Sequence, residues 1–92
     1  MKNNKLTFGY DKEVDVLYIS LGKPKKGMQY LELNNNQILR VDPKTKEIVG
    51  ITLIDFSKHF SGDHYFNKIP VNASFIPDEK IAHLVEKQMQ SA

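Results

Sequence analysis

Three tight turns constrain this chain more than any other feature. Asp11-Lys12-Glu13, Asn34-Asn35-Asn36 and Pro43-Lys44-Thr45-Lys46 each separate two runs rich in β-branched and aromatic residues. Strands joined by turns this short pair antiparallel, because a parallel return needs a dozen residues or more. The turn residues agree with the spacing: Asp bonds backbone N–H groups two residues on, and Asn tolerates positive φ. Five strands are predicted, at Lys5 to Tyr10, Val14 to Leu21, Met28 to Leu33, Gln37 to Asp42 and Ile48 to Phe56. The segment GKPKKG, residues 22–27, reads as the loop between the second and third. In sequence order these runs make an antiparallel meander.

Val14 to Leu21 is the strongest of the runs. Alternation places Val14, Val16, Tyr18 and Ser20 on one face and Asp15, Leu17, Ile19 and Leu21 on the other. Both faces are largely apolar, as expected of a central strand covered on both sides. From Ser57 the pattern changes. Ser57 to Phe60 forms one helical turn, and 61–76 is irregular, with Phe66, Ile69 and Phe75 as anchors. Pro77 to Gln90 reads as a helix: Pro leads, Asp78 and Glu79 occupy the first turn, and Ile81, Leu84, Val85 and Met89 form one apolar stripe.

The expected architecture is mainly β, of the α+β class: a five-stranded antiparallel meander with one C-terminal helix packed on the sheet. The whole of 1–92 reads as one domain, with a β core at 5–56, an irregular segment at 57–76 and the helix at 77–90. A core is thin in a chain of 92 residues. One helix of this length covers one face of a five-stranded sheet and leaves the other exposed. A homo-oligomer, most simply a dimer, is therefore expected.

Charge and composition narrow the function classes. Thirteen basic against 11 acidic residues leave a net charge of +2, too small to argue for nucleic acid or a membrane surface. Cysteine is absent, which removes disulfides, thiolate chemistry and cysteine metal sites. No apolar run approaches the ~18 residues of a membrane span, and the N-terminal MKNNKLTFGY carries no apolar leader core. The chain reads as a cytoplasmic protein.

With the strands laid out, YDKEVDVLYISL followed by VDPKTKEIVGITLIDFSKHF resembles the domain of unknown function 2283 family over residues 7 to 60. The matching positions are Tyr10 and Asp11, Asp15 before Leu17-Tyr18-Ile19, then Ile48-Val49-Gly50-Ile51, and finally Asp55 and Ser57. The resemblance implies a small, mostly antiparallel β domain and no assigned activity. Arg40 and Thr52 depart from the pattern, which places an aspartate and a glutamate there.

Several residues qualify as site candidates. Asp15 reads either as a buried carboxylate with a raised pKa or as a clamp on the Asp11–Val14 turn, and the absence of a second nearby acid favours the clamp. Asp55, Ser57 and His59 point one way on an extended segment, inviting a nucleophile–base–orienter reading. Alternate residues on a strand lie ~6.6 Å apart, a poor geometry for such a chain, so a helix cap is the better reading. His59, Asp63 and His64 form H-x3-D-H, but a five-residue separation of the imidazoles suits neither a helical nor a strand metal pair. Lys23, Lys25 and Lys26 read as a solvated loop. No catalytic, cofactor-binding or metal-binding set is assigned, and no cofactor is implied. The expected function is a non-enzymatic module that self-associates and binds a protein partner. The alternative is a small-ligand or nucleic-acid binder using the Lys23–Lys26 loop, with nucleic acid the less favoured ligand and no membrane role.

Overall fold

Strand formation follows the apolar runs. In the computed structural model, which describes residues 5–23, 25–60 and 66–90, the strands are β1 (Leu6–Asp11), β2 (Val16–Leu21), β3 (Gln29–Leu33), β4 (Gln37–Val41) and β5 (Ile48–Ile54). A 3₁₀ turn covers Phe56–His59, and helix α1 covers Glu79–Gln90. All strand pairs are antiparallel and lie in one sheet, so the chain is mainly β with one C-terminal helix.

The order of neighbours departs from a sequential meander. It is β1-β2-β5-β4-β3, so β5 enters between β2 and β4 and becomes the central strand. The three tight turns do join neighbours, as expected. The β2–β3 loop is different: its seven residues, 22–28, must span three strand spacings, about 14 Å, and seven extended residues reach about 23 Å. The slot left open goes to IVGITLI, the longest strand, which therefore has the most backbone groups to pair on each side. The result is a Greek-key arrangement of β2 to β5.

The register sorts the side chains. One face carries Leu6, Phe8 and Tyr10 from β1, Leu17, Ile19 and Leu21 from β2, Ile51 and Leu53 from β5, Gln37 and Leu39 from β4, and Leu31 and Leu33 from β3. The opposite face carries Thr7, Tyr18, Ser20, Thr52, Arg40, Tyr30 and Glu32 among its residues and is much more polar. Burial is shallow. Among the described residues only Val16, Gln37, Leu39 and Gly50 are buried.

Two expectations about packing need correction. The helix does not cover the sheet: none of its residues is buried, and Ile81, Leu84, Val85 and Met89 are all exposed. Its extended contacts are not with the strands; it is tethered through Asp78, whose carboxylate meets Lys5 Nζ at 3.0 Å. Asp78 also starts the helix, accepting the Lys80 N–H at 2.8 Å. Phe66 and Phe75 are exposed rather than anchoring. The segment 66–78 is held instead by Gln37, whose Nε2 donates to the Lys68 carbonyl at 3.0 Å. The apolar stripe therefore follows helical periodicity, yet among the described residues no strand buries it.

Candidate functional site

The β1–β2 turn places Asp15 in a left-handed conformation, φ 57°, which Asp and Asn adopt more readily than most residues. Asp15 thus lies in the turn, before the β2 alternation begins, and not on the strand face with Leu17 and Ile19. Within the turn, the N–H of Glu13 is satisfied by Asp11 Oδ1 at 3.1 Å. That leaves Asp15 free to reach across the fold.

Its carboxylate collects four hydrogen bonds from two sides. Tyr10 donates its hydroxyl to Oδ1 at 2.7 Å. Ser57, 42 residues away, donates its hydroxyl to Oδ2 at 2.6 Å and its N–H to both oxygens at 3.1 and 3.2 Å. The Phe56 N–H adds a bond to the Asp15 carbonyl at 2.9 Å. The Phe56 ring packs edge-on against Tyr10 at 5.7 Å and Phe60 at 5.1 Å. Asp15 is thus a clamp, but between the first hairpin and the end of β5 rather than within its own turn.

The hydrogen bonds from Ser57 and then Tyr10 hold the Asp15 carboxyl below the usual carboxylate range. The same bond, with Asp15 as acceptor, pushes the Tyr10 phenol above its ordinary value. Both shifts stabilise the protonation states already present at neutral pH. A carboxylate with lowered basicity and its oxygens occupied suits holding two segments together.

Asp55 and His59 do not join this cluster. Asp55 is also left-handed, φ 53°, and its carboxylate lies 3.9 Å from Lys58 Nζ. Ser57 directs its hydroxyl to Asp15, away from His59, whose Nε2 lies 3.2 Å from the Ile54 carbonyl and so carries the proton. The aligned Asp55-Ser57-His59 chain is absent. An open polar cleft of about 450 Å³ lies beside them, lined in part by Asn35, Asn36, Gln37, Lys58, Asn67 and Lys68. His64 lies outside the described residues. Among the described residues no three His, Cys, Asp or Glu side chains gather as a metal-ligating group.

In the lysine loop, Lys23 and Lys25 share a small recess with Arg40. Lys26 is exposed and not part of that lining. Sequence reading missed the roles of Gln37 and Arg40, since nothing in a lone polar residue on a strand reveals what lies across the sheet. Tyr10 and Ser57 were visible as motif positions together with Asp15, and the fold brings the three into one hydrogen-bonded cluster.

Neither the curated proteins nor the solved structures contain a match to this chain. No helix among the described residues is long and apolar enough to cross a membrane. Residues 8–57, which include Tyr10, Asp15 and Ser57, match the model of the family described as "Protein of unknown function (DUF2283)", and the chain belongs to that family.

Proposed function

We propose that this protein is a non-enzymatic interaction module that acts as a homodimer, with its apolar sheet face and helix stripe covered by a second copy. Surface area carries this reading. A compact monomer of 10.6 kDa exposes about 5,500 Å², whereas this chain exposes 8325 Å². Its radius of gyration, 15.9 Å, exceeds the roughly 12 Å of a compact chain of this length. A standard interface removes about 800 Å² per partner, so the excess accommodates a dimer with area to spare.

The chemistry of the uncovered surface favours another copy over a polar ligand. Phe8 is 82% exposed and Leu31 53% on one sheet face, while Leu84 and Met89 are uncovered on the helix. The sheet face has no Asp, Glu, Lys or Arg at its paired positions from β1 to β5. One chain thus supplies both an apolar floor and an apolar helix, the ingredients of a self-complementary two-fold interface. Sedimentation equilibrium at micromolar concentration tests this: the expected mass is twice 10.6 kDa, and a monomer across the whole range overturns the reading.

A further inference from the structure

We propose that Arg40, Lys23 and Lys25 form a binding site for a single phosphoryl group of a small molecule. Its centre is the one arginine in the chain. Arg40 leaves β4 and lies flat across β5 toward β2, where its Nη2 donates to Ser20 Oγ at 3.1 Å. Gly50 makes the passage possible: a Cβ there would sit 2.8 Å from Nη2 and 3.1 Å from Nε.

The guanidinium is poorly compensated in that position. Its Nε is buried without a hydrogen-bond partner, and among the described residues Arg40 forms no ion pair. A half-buried permanent cation with one neutral acceptor is an unusual arrangement, since buried charge is ordinarily paired. Lys23 and Lys25 line the same recess, against Leu21 and Val49, and neither has a carboxylate partner among the described residues. Three basic side chains with no carboxylate partner among the described residues therefore border one small space.

Size and charge select the ligand. The recess holds about 20 Å³, room for the tip of one small group rather than for a buried molecule. A phosphoryl group offers up to two negative charges and several acceptor oxygens, which suits the remaining guanidinium N–H groups of Arg40 together with the two lysine ammonium groups. A polynucleotide needs a continuous basic track, which 11 acidic residues distributed along a chain of net charge +2 do not leave.

Because Arg40 is the only arginine, its Nε–H gives a uniquely assignable ¹H–¹⁵N signal. Inorganic phosphate and then phenyl phosphate are titrated into the full chain at constant ionic strength, with chloride as the control. The expected result is a saturable shift of that signal together with the Ser20 and Gly50 amides. Lys23→Gln and Lys25→Gln should each weaken binding about threefold, the scale of one solvent-screened charge at close range. Both lysines are exposed, so these variants keep the fold whatever Arg40→Gln does. A linear response matched by chloride, or affinities unmoved by both lysine variants, overturns the site. Tighter, steeply salt-dependent binding of a short single-stranded oligonucleotide overturns it in favour of a nucleic-acid surface.

Discussion

Asp15 is where a single side chain does most to hold distant parts of this chain together. Its carboxyl pKa is lowered by Ser57 and Tyr10, so the folded form binds the proton less tightly than the unfolded chain. Its contribution to stability is complete above the ordinary Asp value of about 3.9 and is lost as pH falls through the lower folded value. Tyr10 acts at the other end: with its pKa raised, its contribution is complete below about pH 10 and is lost as the phenol ionises. Asp15→Asn keeps the left-handed backbone but loses the charge and one acceptor. Urea midpoints measured against pH should fall for this variant at pH 7 and show a shallower decline in acid than the parent. An unchanged acid arm excludes the clamp. Gly50 sets the second residue-scale expectation. Gly50→Ala pushes the Arg40 guanidinium off Ser20 and should cost about 1.5–2 kcal/mol, the lower part of the usual range for a hydrogen bond from a charged group. Ser20→Ala should remove most of that difference in a double-mutant cycle read by chemical denaturation.

At the scale of elements, β5 and α1 show opposite relations between pattern and packing. β5 is aliphatic at five of its seven positions and takes the central position, with β2 and β4 as neighbours. Helix α1 has an apolar stripe, Ile81, Leu84, Val85 and Met89, none of which is buried. An isolated helix of 12 residues is marginal in water, because nucleation is costly and few hydrogen bonds follow it. Under the proposed dimer, α1 should therefore fray on dilution while the strands persist. Amide exchange of residues 81–90 should accelerate with decreasing protein concentration, and exchange in β5 should not. Leu84→Asp should reproduce the dilute behaviour at high concentration. Helix protection that is independent of concentration excludes a partner-supported helix.

For the whole molecule, the excess of exposed surface is the dominating fact. A domain with four buried residues among those described has little core of its own, and the hydrophobic gain at ~25 cal/mol per Å² is available mainly by covering the sheet face. Phe8 is the most exposed apolar residue of that face. Phe8→Glu places an uncompensated charge at the middle of β1 and should weaken dimerisation roughly 30-fold or more, the scale of a 2 kcal/mol interface hot spot. Its monomer should keep the parent's far-UV spectrum in the strand region. Sedimentation of the variant beside the parent checks the effect, and an unchanged association constant places the interface elsewhere.

What the chain determines locally is legible in its sequence. Short turns bounded by apolar alternation specify which runs become strands and that joined pairs are antiparallel, because those outcomes depend on backbone reach and on a side-chain period of two. Pro77, Asp78 and Glu79 marked the approach to α1 for the same reason: caps and first-turn charges act over a few residues. The tertiary structure decided everything that depends on neighbours. A seven-residue loop permits β3 to pair with β2 or to pass two strands by, and only competition for the central slot settled the order in favour of β5. Asp15 was recognisable as a clamp, yet its partner Ser57 lies 42 residues on, a separation that no local rule connects. Arg40 stood out only as a departure from the family pattern, and its role stayed hidden because its environment is made by Gly50 and Ser20 on two other strands. Periodicity specified that α1 has an apolar stripe, but a stripe encodes only the need for cover; whether its own sheet or a second copy supplies that cover is a matter of how much apolar area competes for it.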